Sequence, residues 1–169
     1  TTHDQDLWGH SLSVREDGSF VVVWASRGYS TLEEIYLRAS VFNADGSASS
    51  EEILLDTAIK KTNGDFVSDV TFLSNGQFAV TWRGLNEDGL GESRLFLQVF
   101  NDDGSAATDQ MLVRDDVSSD FPRPPSIVSL DDDSFAVIWY DAAQGGQSNW
   151  SVEGRIFDFN GEEVETSYV

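Results

Sequence analysis

Phe20-Val-Val-Val-Trp24 returns as Phe78-Ala-Val-Thr-Trp82 and again as Phe135-Ala-Val-Ile-Trp139. Phe, Val and Trp hold alternate positions in each copy, with Val, Ala, Thr or Ile between them, so neither face of the run is polar. A short apolar run rich in β-branched and aromatic residues reads as a strand buried on both sides. The three Trp residues lie 58 and 57 residues apart, room for about four ordinary strands with their turns. The chain is a threefold repeat, and the repeat is the unit to be read.

On the N-terminal side of each run stands a shorter alternating stretch: Ser11-Leu-Ser-Val14, Asp69-Val-Thr-Phe72 and Ser126-Ile-Val-Ser129. Tight polar turns join the two: Arg15-Glu-Asp-Gly18, Ser74-Asn-Gly76 and Asp131-Asp-Asp133. Asp-Gly and Asn-Gly supply the positive φ of a hairpin turn, and Asp is able to replace Gly there. After each Trp the sequence predicts a polar loop over residues 25–34, 83–93 and 140–149. A third strand follows over 35–42, 94–100 and 150–157, with Leu37, Ala39 and Val41 answered by Leu95, Leu97 and Val99, then by Val152, Gly154 and Ile156. Its other face is mixed, which suits a strand nearer the outside. A second tight turn, Phe42-Asn-Ala-Asp-Gly46, recurs as Phe100-Asn-Asp-Asp-Gly104 and Phe157-Asp-Phe-Asn-Gly161. Fourth strands are predicted at 52–55 and 110–113, with Tyr168 and Val169 closing the last copy. No segment has helical spacing.

The expectation is an all-β single domain over 1–169, built of four-stranded antiparallel repeats at about 1–58, 59–116 and 117–169. Each repeat has the pattern of a β-propeller blade. Because a closed propeller takes at least about four blades, three would be half of a six-bladed ring made by a homodimer, or part of a larger ring with other repeats. A self-closed threefold β-trefoil or β-prism is the alternative.

Formal charge is −20, from 30 acidic against 10 basic residues, and Lys60 and Lys61 are the two lysines. Nucleic acid and anionic membrane surfaces would repel such a chain. With no cysteine, disulfides and thiolate metal sites are excluded. No apolar run is long enough to cross a bilayer, and no cleavable leader is visible at Thr1, so export would rest on a precursor or on a signal elsewhere.

Ser13-Val-Arg-Glu-Asp-Gly-Ser-Phe-Val-Val-Val-Trp24, followed by Arg38-Ala-Ser-Val-Phe-Asn-Ala-Asp-Gly46, resembles a tandem repeat of large secreted bacterial proteins, the calcium-associated RTX adhesins and related type I secretion substrates. The resemblance covers all three repeats. Its two anchors, the Asp-Gly-x-Phe-Val-Val-x-Trp strand and the Phe-Asn/Asp-x-Asp-Gly turn, are structural residues. It implies a secreted, cell-surface setting, and it departs from the pattern at Asp133 and in the loops after Trp24 and Trp139.

Trp24, Trp82 and Trp139 share one phase at the end of a buried strand and read as core rather than as a sugar-stacking platform. Asn43, Asp45, Asn101, Asp102, Asp103, Asp158 and Asn160 read as turn formers. Asn86-Glu-Asp-Gly-Leu-Gly-Glu92 comes nearest to a calcium loop, with Asn86, Asp88 and Glu92 as oxygen ligands, although Gly84 stands where the first acidic ligand belongs. Calcium is thus the candidate cofactor. Tyr29, Tyr140, Asp141 and Trp150 form the candidate contact surface, because in a meander the long loops and the links between repeats share one end of the sheets. His3 and His10 make no zinc motif, and no nucleophile elbow, P-loop or dinucleotide fingerprint is present. Any acid pair chosen for glycoside hydrolysis among 30 carboxylates would be arbitrary.

The functional expectation is a non-catalytic extracellular recognition or adhesion module for a glycan, a peptide or a surface polymer. A structural or assembly module without a small ligand is the alternative, and a secreted glycan hydrolase comes third.

Overall fold

The computed structural model describes residues 7–27, 34–60, 67–85, 93–117, 124–130, 133–142 and 150–168. Among these residues, twelve strands form three four-stranded antiparallel sheets, one per repeat. Sheet 1 is β1 (Leu7–Val14), β2 (Phe20–Arg27), β3 (Glu34–Phe42) and β4 (Ile53–Lys60), neighbours in chain order. Sheet 2 repeats this with β5 (Ser68–Phe72), β6 (Phe78–Leu85), β7 (Ser93–Phe100) and β8 (Met111–Val117). Sheet 3 does so with β9 (Ser126–Ser129), β10 (Ser134–Ala142), β11 (Trp150–Asp158) and β12 (Glu163–Tyr168). The sheets stack face to face with sheet 2 in the middle, and their first strands lie side by side, β1 against β5 and β5 against β9. This is the arrangement of propeller blades, and it excludes the trefoil and prism alternatives.

Alternation within each strand sends its side chains to two interfaces. Val21, Val23, Ala25, Leu37, Ala39 and Val41 of blade 1 meet Val70, Phe72, Phe78, Val80, Trp82 and Phe100 of blade 2. The opposite face of blade 2, with Ala79, Leu95, Leu97, Val99 and Val113, meets Ile127, Phe135, Val137, Trp139 and Phe157 of blade 3. The Phe at or next to the start of each second strand stacks on the Phe at or next to the end of the third. Centroids are 5.0 Å apart for Phe20 and Phe42, 5.2 Å for Phe78 and Phe100, and 5.7 Å for Phe135 and Phe157. These are directly opposed cross-strand pairs, the contacts that hold register.

Three sequence expectations are corrected. Trp24 is only half-buried, whereas Trp82 and Trp139 are core. The reason is positional: Trp24 belongs to the face of blade 1 that has no blade against it. The loops after each Trp are shorter than expected, because β2, β6 and β10 run on to Arg27, Leu85 and Ala142. Fourth strands likewise extend to Lys60, Val117 and Tyr168. Backbone pairing continues through Ser26-Arg27, Arg83-Gly84 and Asp141-Ala142, whose side chains look like loop. The first strands stand innermost, where the sheets converge, and the Phe-x-Val-x-Trp strands come second.

Polar contacts join the blades where the first strands meet. The Phe72 amide donates to Ser13 Oγ at 3.1 Å, and the Ile127 amide donates to Asp69 Oδ2 at 3.0 Å. Arg15, in the first turn of blade 1, reaches onto blade 2: its guanidinium lies 3.9 Å from the Phe72 ring centroid and 2.6 Å from Asp102 Oδ1, and it also donates to Gly76 O. Arg15→Ala is expected to lower stability by about 1–2 kcal/mol in urea titrations, and Arg15→Lys to recover only part, lacking the planar fork. A loss under about 0.5 kcal/mol would show solvent screening to dominate.

Candidate functional site

The two ends of the sheets differ in chemistry. At one end lie the tight turns, which share one design. The Gly18 amide donates to Arg15 O at 3.0 Å and the Arg15 amide to Ser19 O at 2.9 Å, and the same pair of bonds recurs at Asn43–Ser47, Leu73–Gln77, Asn101–Ser105 and Asp158–Glu162. At the corresponding position of the blade 3 hairpin, Asp133 takes φ 54° in place of glycine.

Four of these turns each use one carboxylate internally. Asp17 Oδ1 accepts the Ser19 amide at 2.8 Å and its hydroxyl at 2.6 Å. Asp45 does the same with Ser47, and Asp103 with Ser105, at 2.9 and 2.6 Å in both cases. Asp158 Oδ1 accepts the amides of Asn160 and Glu162 at 2.9 and 2.8 Å. The serine hydroxyl first, then the serine amide, holds Asp17, Asp45 and Asp103 below the ordinary carboxylate range. A depressed folded-state pKa stabilises above the unfolded value and ceases to as pH falls through the folded one. Ser47→Ala with Ser105→Ala should therefore shrink the stability difference between about pH 6 and pH 2 in urea titrations. An unchanged difference would show that these bonds are absent in solution. Of the residues read as turn formers, Asn43, Asp45, Asn101, Asp103, Asp158 and Asn160 make bonds within their own turns, whereas the Asp102 carboxylate pairs with Arg15 of blade 1.

The other end carries the connections β2–β3, β6–β7 and β10–β11 and the links between blades. Of the candidate residues, Tyr29, Asn86, Asp88 and Glu92 lie outside the described residues, so the calcium reading falls there as well. Tyr140 stands within strand β10, at the position held by Ala25 and Arg83 in the other blades, and its side chain is exposed. At the last pairs of the β10–β11 ladder Asp141 lies opposite Ser151 and Ala142 opposite Trp150, so Asp141 and Trp150 occupy neighbouring rungs but opposite faces of blade 3. Among the described residues no three His, Asp or Glu converge on a metal position.

Sequence reasoning missed several polar groups at this end. Trp82 Nε1 donates to Asp56 Oδ2 of blade 1 at 3.0 Å. The equivalent of Asp56 in blade 2 is Arg114, each lying opposite its blade's Leu at the start of the third strand. Trp139, the equivalent of Trp82, has its Nε1 buried without a hydrogen-bond acceptor among the described residues, and Arg114 lies 3.9 Å from Glu153. Arg83 is buried, and its desolvation pushes the guanidinium pKa down. The signal was present for Arg83: a charged residue interrupts an alternation that holds Ala25 and Tyr140 in the other copies. Arg38 Nε donates to Ser26 Oγ at 3.0 Å, and Arg94 Nε to Asp115 Oδ1 at 2.8 Å, so polar side chains recur at this end in blades 1 and 2.

Stacked sheets of this shape recur in known structures. The fold is that of β-propeller blades. The α-L-arabinofuranosidase Arb93A from Fusarium graminearum, solved with an iminosugar inhibitor, matches with a TM-score of 0.59 at 12% identity, over 96% of this chain and 49% of its own. A GH43_1 enzyme from Xanthomonas citri complexed with xylotriose matches at 0.55 and 12%, over 100% and 56%. A levansucrase from B. megaterium matches at 0.59 and 10%, over 97% and 56%. The similarity is to five-bladed propeller glycoside hydrolases, and the chain spans about half the length of these structures. No protein-family model matches the sequence, and neither does any curated protein.

Proposed function

We propose that the blades form a non-catalytic extracellular recognition module, with a glycan as ligand, bound at the end that carries the β2–β3, β6–β7 and β10–β11 connections. The carrying observation is the contrast between the two ends. At the turn end Asp17, Asp45, Asp103 and Asp158 are engaged by their own backbones. At the connection end the blades diverge in sequence, and Asp141 and Trp150 sit on adjacent rungs at the rim of blade 3. Rigid all-β scaffolds place recognition in such variable connections. The choice of a glycan is supported by the carbohydrate ligand named for the like-folded Xanthomonas citri enzyme. The cell-surface setting and calcium are supported by the sequence resemblance.

The test is an oligosaccharide array probed with and without calcium, followed by titration. Trp150→Ala is expected to weaken binding about tenfold, the loss of one aromatic contact. Cleavage of xylo-, arabino- or fructo-oligosaccharides would overturn the non-catalytic reading. Binding that survives in Trp150→Ala and is lost in Asp45→Ala would move the site to the opposite end.

A further inference from the structure

Among the described residues, blades 1 and 3 each have one sheet face with no blade against it, and these two faces are unlike each other. On blade 1 the open face presents Leu12, Val14, Phe20, Val22 and Trp24. Each has an equivalent on blade 2 that is buried against blade 1: Val70, Phe72, Phe78, Val80 and Trp82. Leu12 is 54% exposed where Val70 is 4%, and Val14 is 59% exposed where Phe72 is 9%. On blade 3 the open face presents Ala136, Ile138 and Tyr140 from β10 with Val152, Gly154 and Ile156 from β11. Their equivalents on blade 1, Val21, Val23, Ala25, Leu37, Ala39 and Val41, are all buried against blade 2. Ile138 is 40% exposed where Val23 is 0%.

The described residues thus make one kind of interface twice and leave its two halves uncovered, one on blade 1 and one on blade 3. The surface that fits each open face is carried by the chain itself. A head-to-tail pairing of this kind closes when the rotation allows. Two copies of three blades satisfy both open faces with a single twofold axis, and six blades lie within the range of closed propellers, at about 60° per blade against about 72° in a five-bladed ring. Faces this apolar are otherwise a liability to non-specific association.

We propose that the partner for both open faces is a second copy of this chain, blade 1 of each docking on blade 3 of the other to close a six-bladed ring. The assignment does not depend on the ligand.

Light scattering at graded concentrations should give twice the chain mass of 18.7 kDa. Val14→Asp and Ile138→Asp each place a charge on one open face at a position exposed in the single copy, so each variant should keep its far-UV spectrum and unfolding midpoint at low concentration. Each should raise the dimer dissociation constant by about a hundredfold or more. Mixing the two variants should restore dimers in part, because one of the two interfaces is then unmutated on both sides. A parent chain that stays monomeric at every concentration would overturn the proposal and assign the faces to further blades or another partner. So would a dimer insensitive to both substitutions, or an open-ended series of larger assemblies.

Discussion

Replacing Trp82 by alanine is expected to lower the unfolding free energy by about 3–5 kcal/mol, the cost of removing a large buried aromatic. The indole has no exposed surface. It fills the interface between blades 1 and 2, tilted at 32° against Phe96 with centroids 5.9 Å apart. Its Nε1–H is also the donor to Asp56, so the variant leaves a part-buried carboxylate without that bond, and such a loss carries a further desolvation penalty. Trp82→Phe should keep most of the packing and lose the hydrogen bond, about 1–3 kcal/mol. Trp24→Ala, the same letter in the same motif, should cost about 1 kcal/mol or less in a dilute single copy, because its face is open. Chemical denaturation with a shared m-value separates the three. A Trp82→Ala variant within about 1 kcal/mol of the parent would mean that blades 1 and 2 do not pack this way in solution.

Gly104→Ala should cost distinctly more than Gly46→Ala, although both glycines end the same Phe-Asn-x-Asp-Gly turn. Their backbones are alike, with φ of 86° and 84°, so both variants bear the left-handed penalty of an L side chain, about 1–2 kcal/mol. The difference lies in the neighbours. A Cβ at Gly46 meets nothing within 4 Å, whereas at Gly104 it would stand 2.8 Å from Ile53 Cδ1, 3.1 Å from Ile53 Cγ1 and 3.3 Å from Ser50 Cβ. Those atoms belong to blade 1, so the blade 2 turn is wedged against its neighbour. Overpacking there should add about 1–3 kcal/mol. Equal losses for the two variants would show the wedge to be slack.

The same pair shows what the sequence makes legible. Period, strand alternation and turn glycines are local properties, and they yielded three four-stranded repeats with the Phe, Val and Trp positions in register. Gly46 and Gly104 cannot be told apart in this way, nor can Trp24 and Trp82, because what distinguishes them is whether a blade stands alongside. The strand ends were misread because edge and terminal pairs tolerate Ser26, Arg83 and Asp141, whose side chains have turn-like chemistry while their backbones stay in the ladder. Asp56 was invisible for another reason: it meets Trp82 from 26 residues away, and the repeat places Arg114 at the corresponding position. Of the candidate site, Tyr140, Asp141 and Trp150 fall at the last rungs of the β10–β11 hairpin, whereas Tyr29, Asn86, Asp88 and Glu92 belong to connections beyond the described residues.

The two amides that cross between first strands, Phe72 to Ser13 and Ile127 to Asp69, turn the stack into its own reporter. Each is protected from solvent exchange by an acceptor on the neighbouring blade, so each exchanges when that one interface opens, without any sheet unravelling. The interfaces are not equivalent. Between blades 1 and 2, Arg15 clamps the turn and Trp82 has its acceptor, whereas between blades 2 and 3 the position of Arg15 is Leu73 and Trp139 Nε1 has none. Hydrogen exchange in a series of sub-denaturing guanidinium concentrations should therefore release Ile127 at a lower opening free energy than Phe72, with blade 3 swinging away while blades 1 and 2 stay joined.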